Sequence, residues 1–237
     1  MPALTIPAAA CKSGDFMYIF SFLLFPMAAF YAAFREVKKQ GIACLKEHFL
    51  TAVSGLLCGF ALCAVLEFCV FLPDYQGTGF AVFFVLQWVF NFAVPLLFFV
   101  FYILWSKDSL EFRLKGFLYF FLPLMSLYLP FWLFVNDGRQ SFFMLFVFPV
   151  LQLLLVFALA GEFLRLSRAA ESKAGAVFAG VFFIPLESAF PVLSLTLSYF
   201  NCPVWLWILT SAAFFVLCFF RFRCKSALRA GAAAKPV

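Results

Sequence analysis

The chain has 237 residues, of which 66% are hydrophobic, 12% are charged and 40 are Phe, and its net charge is +6. A soluble domain is usually about a quarter charged. No soluble fold of this size has interior enough to hide so much apolar surface, so composition excludes a soluble globular protein and leaves lipid as the solvent. The positive charge falls between apolar runs, which is the pattern of loops at a membrane surface rather than of a nucleic-acid-binding face.

Residues 1–15 lack an apolar core of the length a cleavable signal peptide needs, so none is expected. Ala8-Ala9-Ala10-Cys11 resembles a lipoprotein cleavage site, but no hydrophobic region precedes it. A spanning helix needs about 20 mostly apolar residues. Seven stretches qualify: 16–34, 48–72, 79–104, 115–135, 142–165, 174–199 and 203–220. The expected fold is therefore an all-α, polytopic transmembrane bundle over 1–220. A basic, Ala-rich tail follows over 221–237, expected to be disordered and to lie on anionic headgroups.

The connections alternate in charge. Of the 17 Lys and Arg, 15 fall on the even-numbered connecting segments and the C-terminal tail. Positive loops stay cytoplasmic, which gives N-out, C-in topology. Aromatic belts agree: Trp132, Tyr199, Trp205 and Trp207 fall at outer ends, and Tyr31, Tyr102, Trp105 and Tyr119 at inner ends. Pro73-Asp74-Tyr75-Gln76-Gly77 and Asn136-Asp137-Gly138 are turn sequences. Compact loops and the absence of Asn-x-Ser/Thr acceptors point to a bacterial cytoplasmic membrane, with the chain multi-pass in that plasma membrane.

The eight cysteines make no framework. Cys58, Cys63, Cys69 and Cys218 read as small apolar-run residues. No CxxC spacing indicates a zinc or redox site, so no metal or other cofactor is expected. Cys11 and Cys202 both fall on the outer side, where a disulfide between them is open.

No Lys, Arg or His lies deep in any span, but Glu67 and Glu187 lie within spans. Glu187 is central in the sixth span, where an acid costs roughly 2.5–3.5 kcal/mol on insertion scales. With no basic partner in the spans, it is expected to rest protonated or to be reached by water or a cation. Glu187, Pro191, Ser194 and Ser198 make one polar stripe. Pro185 and Pro191 bracket the acid and remove backbone donors. Asn91 is near the middle of the third span, with Gln87 one turn outward and Pro95 one turn inward. Gln152 is near the middle of the fifth span, just after Pro149. The expected ligand, proton or cation site is thus Glu187, Asn91, Gln87, Gln152 and Ser194. Glu67, about 10 Å outward of the middle of the second span, is a second candidate acid. Below it the Gly55-xxx-Gly59 pair permits a close helix contact.

The last span lacks the lysine of a retinal protein. Trp105-Ser106-Lys107-Asp108 and Thr210-Ser211-Ala212 stand where a seven-helix receptor carries its motifs, and neither matches. HExxH, Gly-x-Gly-Asp, Walker and GxGxxG patterns are absent. The acids Glu36, Glu47, Asp108, Glu111, Glu162 and Glu171 read as solvated loop charges.

Seven helices also permit a 3+1+3 plan, with the fourth as linker. Pro26 would match Pro149, the small-residue face and acid of the second span would match those of the sixth, and Asn91 would match Thr210 or Ser211. In this respect the chain is similar to the SWEET sugar transporters, in architecture alone, since the Pro-Gln motif of the related PQ-loop proteins is absent. Two function classes follow. One is a small-solute transporter or permease subunit using a proton or cation. The other is a non-catalytic membrane subunit or assembly partner of other membrane chains. A membrane enzyme would need an acid cluster at one interface, which the sequence lacks.

Overall fold

The structure, a computed structural model, describes residues 8–69, 78–106, 109–135, 141–169 and 174–233. The expected turns at 73–77 and 136–138 lie outside them. Among the described residues the chain is helical, with no strand. Lipid dictates this, because helices pair their backbone groups within each segment.

α1 (Ala8–Gln40) and α2 (Ile42–Cys69) are separated by Gly41 alone. Its φ of +83° puts it in the left-handed region, and its N–H donates to the Val37 carbonyl at 2.9 Å. This is a helix C-cap that glycine adopts without strain. A side chain at Gly41 would meet nothing within 4 Å. Gly41→Ala is therefore expected to lose only backbone energy, about 1–2 kcal/mol. The fall in thermal midpoint should be smaller for Gly41→Asn, which tolerates this conformation.

α3 begins as Phe80–Trp88, widens into a π-helical turn at Val89–Ala93 and continues as Val94–Trp105. The short α4 (Leu110–Lys115) is capped by Ser109, whose hydroxyl accepts from Phe112 N–H. Arg113 on α4 reaches back to the Ile103 carbonyl, where its charge suits the C-terminal end of α3. α5 (Phe117–Val135) carries Pro123 and Pro130. α6 opens with a second π-helical turn, Phe143–Val147, and continues as Phe148–Ala169. α7 covers Ala174–Tyr199 and α8 Val204–Ala233, joined by a corner at which Asn201 takes φ +50°.

Among the described residues, five helical stretches are long and apolar enough to cross a membrane: Ile19–Lys38, His48–Glu67, Phe80–Trp105, Phe117–Val135 and Phe143–Arg165. The apolar part of α8 is shorter, Val204–Phe219. Among the described residues, five of the seven expected spans thus carry a helix of membrane length.

α5 is the centre of the packing. It lies most extensively along α2 and next along α1, while α7 packs against both α6 and α8. Gly55 and Gly59 make the α2–α5 contact possible. A Cβ on Gly55 would overlap the Phe120 carbonyl, and one on Gly59 would stand 2.8 Å from the Leu124 carbonyl oxygen. The fourth span, expected as a linker between two triplets, is instead embraced by the first two helices. The helix contacts of the first triplet differ from those of the second, so the packing lends the 3+1+3 plan no support.

Aromatic rings fill the interior. Phe99, Phe117 and Phe163 meet with centroids 4.5–5.4 Å apart, tying α3, α5 and α6 together. Trp132 was expected in an interfacial belt, but it is buried against Phe148 because α5 is enclosed. Trp105, 91% exposed, and Trp205, 63% exposed, do face outward. The basic segment from residue 221 continues α8 as far as Ala233. Its Ala, Lys, Arg and Leu are strong helix formers. The Cys202 thiol is free.

Candidate functional site

Proline explains the local shape of the two helices that carry amides. A proline has no N–H, so the carbonyl it would have paired is orphaned. In α3 the π-turn ends two residues before Pro95, and the Tyr128 hydroxyl of α5 donates to the Phe90 carbonyl at 2.6 Å. In α6 the π-turn ends two residues before Pro149, and the Ser21 hydroxyl of α1 donates to the Leu145 carbonyl at 2.6 Å. Each break is thus healed by a hydroxyl from a neighbouring helix, and Asn91 sits inside the first of them.

Gln87 and Asn91 are both buried. The Asn91 amide donates to the Gln87 backbone carbonyl at 3.1 Å and to Gln87 Oε1 at 2.8 Å. Both of these bonds are donated by the Asn91 amide nitrogen. Asn91 Oδ1 and, on α6, Gln152 Nε2 are buried with no hydrogen-bond partner among the described residues. Such atoms are costly in a low-dielectric interior.

Glu187 is buried at 5% exposure, with Ser188, Pro191 and Ser194 on the same inward stripe of α7. Trp88 Nε1 donates to Ser188 Oγ at 2.8 Å, linking α3 to α7 one residue from both Gln87 and Glu187. Together with Phe83 stacked on Tyr199 at 4.0 Å, it sets an antiparallel register. That register puts Asn91 within about one turn, ~5 Å, of Glu187 in height. The pairs Phe190–Phe214 and Ser194–Thr210 align α7 with α8, and Phe143–Trp207 aligns α8 with α6. Followed through, they put Gln152 at the same height to within about one turn, ~5 Å. Three helices therefore carry Asn91, Gln152 and Glu187 at similar heights.

Ser194 is placed differently. Its hydroxyl lies 2.7 Å from Thr210 Oγ1 and accepts from Ser211 Oγ at 3.3 Å, while Thr210 donates to the Trp207 carbonyl at 3.0 Å. This relay fastens α7 to α8 and leaves Ser194 occupied. Glu67 is exposed and stands apart from the cluster.

Glu162 was read as a solvated loop charge. It is buried at 2% exposure, and Arg165, largely exposed, approaches its carboxylate at 3.9 Å. Its neighbours Ala158, Leu159 and Phe163 are buried as well. That apolar run was the signal that the helix face continues inward past it. Among the described residues no cluster of three or more His, Cys, Asp or Glu could hold a metal.

The apolar helices make this a multi-pass membrane protein with a lipid bilayer as its surroundings. Searched against protein-family models, curated proteins and solved structures, the chain returns no match.

Proposed function

We propose that the chain is a small-solute transporter or permease subunit of a bacterial cytoplasmic membrane, with seven spans, the N-terminus outside and the C-terminus inside. The observation that carries this reading is the open acceptor of Asn91 and open donor of Gln152, both buried, at the level of Glu187. A polar solute would satisfy both. Glu187 would carry the proton or cation that moves with it, since an acid at this depth belongs by default to a pathway. Gln87 holds Asn91 in place, and the widened turns of α3 and α6, each followed by a proline, supply the bending points.

A second reading, a non-catalytic membrane subunit, is favoured by the Ser211–Ser194–Thr210 relay, which is closed on protein groups alone. In that case Glu187 would pair with a basic residue of another chain. Water access separates the two readings. Thermal stability of the purified protein in nanodiscs, across pH and a panel of small solutes and cations, is the test, with Glu187→Gln alongside. The transporter reading expects one solute or cation to raise the midpoint in wild type and to lose that effect in the variant. If no solute shifts the midpoint and Glu187→Gln is neutral or stabilising, the transporter reading fails.

A further inference from the structure

We infer that the groove between α1, α2 and α5 is a binding site for one anionic diacyl phospholipid, with an acyl chain in the groove and the phosphate at its His48 end. The groove encloses about 410 Å³. It exists because small residues stand where the rest of the chain places Phe. Ala29 and Ala33 of α1 and Ala52 of α2 form its floor, and Phe22, Phe30 and Phe49 make exposed walls. Along α1 the lining runs from Phe22 to Ala33, which is ~16 Å of helix. An elongated, almost wholly apolar slot open on the lipid side fits a hydrocarbon chain and offers a polar solute nothing to bind.

The two ends differ. Toward the middle of the helices the lining is hydrocarbon apart from Ser126. At the other end stands His48, its imidazole sandwiched between Phe112 at 5.0 Å and Tyr119 at 4.3 Å, ring centroid to centroid. The stacking fixes this ring at the mouth. Around the same end lie the exposed cations Arg35 and Lys38, just past Ala33, Lys46, two residues before His48, and Lys115, on α4 next to α5. The α1–α2 corner, residues 35–47, holds Arg35, Lys38, Lys39 and Lys46 against Glu36 and Glu47, so its charge is positive. An apolar slot ending in a positive rim selects a lipid whose headgroup carries net negative charge. Interfacial cations hold such headgroups, each contributing severalfold in affinity. The site, on α1, α2 and α5, is separate from Glu187 on α7.

Native mass spectrometry of the full chain tests the proposal. The protein would be equilibrated in detergent with equimolar phosphatidylglycerol and phosphatidylcholine of identical acyl chains. Wild type is expected to retain one phosphatidylglycerol in preference to phosphatidylcholine. Neutralising Arg35, Lys38 and Lys46 to Gln should lower that preference about fivefold per cation. Ala29→Phe, which fills the slot, should abolish retention of either lipid. Equal retention of the two lipids by wild type overturns the proposal, as does a preference that survives the charge substitutions. Undiminished lipid retention by a folded Ala29→Phe also overturns it. Should Ala29→Phe fail to fold, the charge variants decide alone.

Discussion

Gly55→Ala is expected to be the most damaging Gly→Ala change among the described residues. The added Cβ has nowhere to go. It overlaps a backbone carbonyl, that of Phe120, which cannot rotate aside as a side chain would. Relief requires α2 and α5 to separate, and this is the most extensive helix contact in the structure. Overpacking usually costs about 1–3 kcal/mol and more where backbone must move, so a loss of about 3 kcal/mol or more is expected. Gly59→Ala, 2.8 Å from the Leu124 carbonyl oxygen, should cost less, and Gly79→Ala, with nothing within 4 Å, almost nothing. Thermal midpoints in one detergent would rank the three variants. A Gly55→Ala protein as stable as Gly79→Ala would mean that α2 and α5 are not so close.

The second large effect belongs to the hydroxyl that heals α3. Tyr128→Phe keeps the ring in its fully buried place and removes only the donor to the Phe90 carbonyl. With no water in the surroundings, the carbonyl is left bare, and an unsatisfied buried group costs about 1–3 kcal/mol. The mechanism makes a sharper expectation. Pro95→Ala restores a backbone N–H, which can take up a carbonyl that proline orphaned. Tyr128→Phe should therefore cost much less in a Pro95→Ala background than in wild type. A thermodynamic cycle over the four proteins measures this. Additive losses would mean that Tyr128 stabilises α3 for some reason other than the missing proline donor.

The spans were legible because the apolar runs at 16–34, 48–72, 79–104, 115–135 and 142–165 exceed any core-helix length, and the structure puts a membrane-long helix on each. The Gly55–Gly59 spacing was also readable, since two small residues one turn apart leave a groove that only another backbone fills. The partner was not readable. Nothing in the chain says that this groove receives the fourth span rather than a neighbour in its own triplet. Trp132 and Glu162 were misplaced for a common reason. Each sits near the end of an apolar run, and position along a helix says nothing about which way the residue faces. Gln87, Asn91, Gln152 and Glu187 could be named as polar groups at similar depth, but whether each points into the bundle depends on tertiary packing. The π-turns were hidden as well, although Pro95 and Pro149 were visible. A proline announces a lost donor, and only the neighbouring Tyr128 and Ser21 decide how the helix reorganises around it.

The widened turn of α3 also solves a problem of phase. Its buried row runs Phe83, Gln87, Asn91, Pro95, Phe99, every fourth residue. In an unbroken α-helix four residues overshoot a full revolution by about 40°. Five such positions would therefore drift about 160° and end on the opposite side, in lipid. The π-turn holds one surplus residue and winds the helix back by about 100°. The amides and the aromatic ring of Phe99 thus stay on one face. The same sequence threaded through a regular helix would turn either the Gln87 end or the Phe99 end outward. The bulge at Val89–Ala93 acts as a dislocation that keeps both halves of α3 in step with the bundle.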